Sequence, residues 1–227
     1  TVASEILKSN KPLSKIYISQ SDPDYYFSLK PILEKFPNAK VLAASDTIAA
    51  INKSVQKKID VWGPQLKENG PQSLADIIIP SPYDDKYLTV GSSKIEIINT
   101  SIPNRRYLWS EELKAIFGGV LVFSDVHVWV ADTASIEGRH EWIKILESII
   151  ALNPKAVIPG HMQPSSLIDA TSVKYTIEYL KILEREQLKV KSSEELTKAM
   201  IGHYPNTGMD VALNIGAKVV LGEMKWG

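Results

Sequence analysis

Six polar side chains of this 227-residue chain stand where an α/β fold could put them to chemical use. Four share one crossover, KIYISQSDPDYYFSLKPILEKF from Lys15 to Phe36: Gln20, Asp22, Asp24 and Tyr25. They lie between an apolar run closed by Ile16 and Ile18 and a helical stripe of Phe27, Leu29, Ile32, Leu33 and Phe36. The other two, Asp125 and His161, each end an apolar run, GGVLVFSD and AVIPGH. Ligands and catalytic groups gather in loops at the carboxyl ends of strands, so these are the side chains to weigh for binding or catalysis.

Each also has a purely structural reading. Asp22 before Pro23 is a good helix N-cap, and Asp24 in the first turn complements the helix dipole. Tyr25 is equally a packing residue, and a turn aspartate and a turn histidine are common. His127 lies two residues past Asp125 in an alternating VHVW run, the pattern of a half-buried strand or loop. Trp62 and Trp129 are core aromatics on the simplest reading, yet both lie beside loops and, with His127, are pocket candidates.

The elements that must position these groups follow from periodicity. A short helix, Val2 to Ser9, precedes the organising strand. After the helix of the crossover, NAKVLAAS reads as a strand and Asp46 to Lys58 as a helix, an order that favours parallel pairing. Asp60 to Pro82 reads as an irregular connection around one strand, Ile77 to Ile79. Tyr87 to Val90 and Lys94 to Ile98 form a hairpin about Gly91, and Arg106 to Trp109 and Val120 to Phe123 add two strands. Glu137 to Leu152 is the clearest helix, with Arg139 on its polar side. A strand from Lys155 to Pro159 leads to His161, and helices follow over Ala170 to Leu188, Ser193 to His203 and Met209 to Ile215.

With 26 basic and 26 acidic residues the formal charge is zero. No basic cluster marks a nucleic acid or an anionic membrane as partner. The absence of cysteine removes disulfides, thiolate metal sites and cysteine nucleophiles, and fits a reducing or an oxidising compartment alike. No apolar run approaches the ~18 residues of a membrane span.

The crossover, FSDVHVWVADT and VIPGH resemble the metallo-β-lactamase superfamily, over Thr1 to Gly227. That family carries His-x-His-x-Asp-His, and on this pattern Gln20 takes the first histidine, Asp22 the second position, Asp24 the aspartate and Tyr25 the last histidine. Asp125 matches the carboxylate that bridges two metals, and His161 the Pro-Gly-His ligand. Ser101, in TSIPN, falls at a third ligand histidine. The resemblance implies an αββα sandwich whose first sheet is incomplete at the N-terminus, in one domain over 1–227 with 170–227 as a helical extension.

The implied metal set is Asp22, Asp24, Asp125 and His161, with Asp24 as the catalytic candidate and Gln20, Tyr25 and Ser101 as degenerate ligand positions. Zinc prefers imidazole nitrogens to amide or hydroxyl oxygens, so the first of two metals is lost. One divalent ion (Zn²⁺, Mn²⁺ or Fe²⁺) on Asp24, Asp125 and His161, or none, is the expectation. The implied function is a diverged hydrolase of the ester, thioester or lactone class, mononuclear or inactive. The alternative is a non-catalytic ligand- or protein-binding module that reuses the cleft. Expected partners are a small-molecule ligand or substrate, and a second copy or further segment over an exposed sheet edge.

Overall fold

The computed structural model describes residues 2–226. The chain forms two compact units, Thr1–Lys86 and Tyr87–Gly227.

In the first unit, helix α1 (Val2–Lys8) precedes β1 (Lys15–Ile18), and the crossover helix is broken into α2 (Pro23–Tyr26) and α3 (Leu29–Lys35). Strand β2 (Lys40–Ala43) then leads into α4 (Ser45–Leu66), and β3 (Ser81–Pro82) closes a parallel sheet of order β1-β2-β3. The parallel pairing of Lys15 with Lys40 through Ile18 with Ala43 is the one the strand-helix-strand order predicts. Ile18, Tyr26, Phe27, Leu29, Val41 and Ile51 meet in its core.

Two expectations in this unit need correcting. Helix α4 does not stop near Lys58 but continues through Gly63 and Pro64. Thr47, Ile51, Val55, Ile59 and Gly63 are buried at a spacing of four, and this stripe outweighs the backbone bond Pro64 cannot make. Ile77 and Ile78 do not form a strand; they pack against the core side-on, while Ser81 and Pro82 pair with β2. Pro82 is tolerated because β3 is the edge of its sheet.

The second unit holds a sheet of order β4-β5-β6-β7-β9: β4 (Tyr87–Val90), β5 (Ser93–Asn99), β6 (Arg106–Ser110), β7 (Ala115–Phe117) and β9 (Ala156–Val157). Its neighbours are antiparallel except β7 and β9. The expected hairpin turns at Gly91, whose φ of +59° suits glycine. Strands β8 (Phe123–Ser124) and β10 (His161–Met162) form a second, parallel pair. The strand expected over Val120 to Phe123 thus begins at Phe123, and β7 and β10 went unforeseen, being too short to show a period.

Helices α5 (Ile136–Ala151), α6 (Thr171–Gln187), α7 (Ser193–His203) and α8 (Asp210–Val220) complete this unit. Trp142, Ile145, Leu146 and Ile149 of α5 are buried, and so is Arg139, against expectation. Its guanidinium is satisfied by the Glu184 carboxylate at 3.3 Å and the Gln187 side-chain oxygen at 2.8 Å, both on α6. Among the described residues no helix is long and apolar enough to cross a membrane.

Candidate functional site

In the first unit, Gln20 and Asp22 lie in the turn between β1 and α2, and Asp24 and Tyr25 in the first turn of α2. Gln20 is 1% exposed, and its side-chain amide donates to the Asp22 carboxylate. Asp22 does occupy the N-cap position of α2, with extended backbone, yet its side chain makes no capping bond. Asp24 is exposed in the first turn of α2, and Tyr25 packs against the core of this unit, as does Trp62.

In the second unit, Asp125 directly follows β8 and His161 opens β10, the strand paired with it. His161 lies opposite Phe123 and Met162 opposite Ser124, and the ladder is extended by Gly160 N–H to Val122 O (3.0 Å) and Gln163 N–H to Ser124 O (3.2 Å). Glycine is required at 160, where a Cβ would stand 2.5 Å from the Gly119 carbonyl oxygen. The His161 imidazole stacks on Phe123, with centroids 5.2 Å apart and planes 8° from parallel.

Asp125 leaves the strand in a left-handed conformation, φ +54°, which aspartate tolerates better than most residues. Its Oδ2 accepts hydrogen bonds from the Ser166 hydroxyl at 2.5 Å and the Ser124 hydroxyl at 3.3 Å. Among the described residues no donor is placed on Oδ1. The backbone around it is pinned by Gly208, whose N–H reaches Asp125 O (3.4 Å) and whose carbonyl accepts from His127 N–H (2.8 Å).

Asp125 lines a cleft of about 420 Å³ within this unit. One wall is a single face of α6, Thr171, Lys174, Tyr175 and Glu178, at the i, i+3, i+4, i+7 spacing of one helical stripe. Tyr204, just past α7, the exposed Leu167, and Ser124 beside Asp125 supply the rest. The Tyr204 ring packs on Tyr175 (centroids 5.5 Å) and Tyr179 (4.9 Å). Tyr179 is buried beneath, its hydroxyl 3.0 Å from His127 Nδ1, and the Tyr175 hydroxyl donates to Val126 O at 2.9 Å.

Burial sets the proton chemistry of this wall. It raises the Tyr175 and Tyr179 phenols well above their ordinary range and pushes Tyr204 up to about 12, so all three remain neutral at physiological pH. It lowers the His127 pKa, which favours the uncharged ring. His127 therefore serves beneath the wall as a hydrogen-bond partner of Tyr179.

Two remaining candidates are tied elsewhere. The Ser101 hydroxyl donates to Glu141 of α5 at 2.5 Å. Trp129 and Trp226 both donate indole N–H groups to Asp132, at 3.0 and 2.9 Å, and pack edge to face. The residues that sequence reasoning missed are Ser166, Lys174, Tyr175, Glu178 and Tyr204. Only the stripe on α6 carried a signal, because it is polar and aromatic at helical spacing.

The donor set does not fit the two-metal centre of the resembled family, in line with the replaced ligand positions. The amide at position 20 and the hydroxyl at 101 stand in for imidazoles and are bonded to Asp22 and Glu141. Among the described residues of either unit, no three His, Asp or Glu side chains stand together so as to hold a metal.

No family model matches the chain, and no curated protein matches it. Solved structures do. A metallo-β-lactamase family protein of Thermus thermophilus superposes with a TM-score of 0.56 at 14% identity, over 92% of this chain and 74% of its own. A β-lactamase domain protein of Burkholderia ambifaria gives 0.60 at 11% identity, over 94% and 69%. The motifs of the crossover and of the two strand ends therefore sit in the architecture they resemble: the chain has the metallo-β-lactamase fold.

Proposed function

We propose that this chain is a small-molecule-binding protein built on the metallo-β-lactamase fold, without the dinuclear-metal hydrolysis that the fold houses elsewhere. The observation that carries this reading is the state of Asp125. The carboxylate at the metal-bridging position instead holds the Ser166 hydroxyl and faces a cleft walled by Tyr175, Tyr204, Lys174 and Glu178. A concave site with a few convergent polar groups is the usual form of a ligand pocket. Those groups bind and orient; Lys174 and Glu178 offer opposite charges, and the neutral phenols offer rings for apolar contact and cation contact.

A second reading keeps one divalent ion, with Asp125 and His161 as ligands in this unit. It is favoured by the parallel register of β8 and β10, which places His161 opposite Phe123, two residues before Asp125. Such an ion would supply Lewis acidity toward an ester, thioester or lactone. Elemental analysis of the purified protein with its His161→Ala variant decides between the two. The binding reading expects no stoichiometric metal and a ligand response that chelator leaves unchanged. A stoichiometric ion lost with His161, together with chelator-sensitive ester or lactone turnover, would overturn it.

A further inference from the structure

We infer that the cleft beside Asp125 takes a small zwitterion, a compound carrying an ammonium and a carboxylate close together on an apolar body, as an α-amino acid does. The inference rests on the binding reading above and names its ligand class. Its grounds are the charges on the two walls. Lys174 and Glu178 lie four residues apart on α6, on one face, in the order (Lys before Glu) that favours an ion pair across the turn less than its reverse. Among the described residues neither side chain is placed in a hydrogen bond or ion pair, although both line the same cleft, where the Glu178 charge, after burial, helps raise the Tyr204 pKa. Lys174 acts on Asp169 only as a minor cause, after the bonds from Thr171, of that carboxyl's lowered pKa.

Asp125 adds a second carboxylate whose Oδ2 is occupied by Ser166 and whose Oδ1 is left for a guest. The site thus presents one ammonium and two carboxylates around a pair of tyrosine rings. A metal ion or a dication would meet Lys174, and a phosphate or dicarboxylate would meet Asp125 and Glu178. A zwitterion satisfies both signs. Residues one turn apart are separated by about 6 Å along a helix axis, a distance that an ammonium and a carboxylate on one carbon bridge with a hydrogen bond at each end. Tyr175, Tyr204 and Leu167 then cover an apolar substituent.

Three probes of one skeleton test the inference by calorimetric titration of the full chain. These are L-phenylalanine, phenethylamine (carboxylate removed) and 3-phenylpropanoate (amine removed). The expected result is that L-phenylalanine binds at least about tenfold more tightly than either truncated probe. Lys174→Gln should then lower its affinity to that of phenethylamine and leave phenethylamine binding unchanged, and Glu178→Gln should do the converse for 3-phenylpropanoate. Both side chains are exposed, so unchanged circular dichroism and melting will verify that the variants fold. If L-phenylalanine binds no better than the truncated probes while these bind and lose affinity in Tyr204→Ala, the zwitterion assignment fails and the binding cleft stands. If none of the three binds at millimolar concentration and no compound of a wider fragment screen shifts the cleft tyrosine resonances, both fail.

Discussion

Ser166 donates its hydroxyl to Asp125 Oδ2 at 2.5 Å, across 41 residues of sequence, and so ties the loop after β10 to the carboxylate at the end of β8. A typical hydrogen bond contributes about 1 kcal/mol to stability, and the exposure of Asp125 screens the extra strength of a charged acceptor. Ser166→Ala should lower the unfolding free energy by that amount in urea titration without changing the slope of the transition. It should also leave the Asp125 carboxylate less fixed, and weaken any guest that Oδ1 holds. A loss well above about 2 kcal/mol would mean that the bond supports far more than this loop.

Arg139 and Glu184 tie α5 to α6 in the interior of the second unit. The guanidinium is fully buried, its pKa lowered by burial and partly restored by Glu184. Removing one partner of such a pair leaves a charge without compensation, which typically costs ~3 kcal/mol or more. Glu184→Gln is therefore expected to destabilise by about that amount in denaturant unfolding. Arg139→Leu, which removes the buried charge itself, should cost less than Glu184→Gln; the opposite order would show that packing of the arginine stem dominates.

How much of this was legible in sequence depends on whether a residue belongs to a run with a period. Ile16 and Ile18, the hairpin at Gly91 and the apolar face of α5 have one, and their elements lie where the pattern places them. Ser81 and Pro82 have none: two residues pair with β2, while the apolar Ile77 and Ile78 beside them bury without pairing. Gly63 and Pro64 are strong breakers, and only the tertiary burial of Ile59 and Gly63 explains why α4 runs through them. At the cleft, Asp125 was visible because it ends an apolar run, as does His161, which does not line the cleft. Tyr204 was not, because its role comes from a loop that packing alone lays against Tyr175 and Tyr179.

Gly119 fixes the turn that feeds β8. Its φ is +76°, and an added Cβ would stand 2.0 Å from the Arg106 carbonyl oxygen, a backbone atom that cannot swing away. The conformational cost of about 1–2 kcal/mol for a side chain in this region adds to a clash that only backbone movement can relieve. Gly119→Ala should lose ~3 kcal/mol or more. Gly91→Ala, at φ +59° but with nothing within 4 Å, should lose only the conformational part. Equal losses by thermal and urea unfolding would refute the close approach at Gly119.

His127 makes stability depend on mildly acidic pH. Burial lowers its pKa in the folded chain, so between the unfolded value near 6.5 and the lower folded value the unfolded state binds more protons. Stability contributed by the neutral ring is thus fully present above pH ~6.5 and is lost as pH falls toward the folded pKa. His127→Gln should be less stable at neutral pH, because the bond to Tyr179 is altered, yet should show a shallower loss as pH falls from about 6.5 to about 5 than the wild-type chain. Identical slopes in the two proteins would place the acid sensitivity elsewhere.

Burial of the tyrosines predicts the reverse at the alkaline end. Tyr175, Tyr179 and Tyr204 hold their protons above the ordinary phenol pKa near 10, with Tyr204 at about 12, whereas the unfolded chain releases them near 10. The folded state then binds more protons than the unfolded one, so the phenols' contribution to stability is constant below pH ~10 and falls as pH rises above it. Of the nine tyrosines, those of this cluster should appear in the phenolate absorbance only at the alkaline unfolding transition. Tyr179→Phe should remove one such late phenolate and flatten the alkaline loss of stability, at the cost of the bond to His127. If instead these phenols ionise reversibly near pH ~10 while the chain remains folded, the cluster is open to water, and the neutral wall assigned to the cleft is wrong.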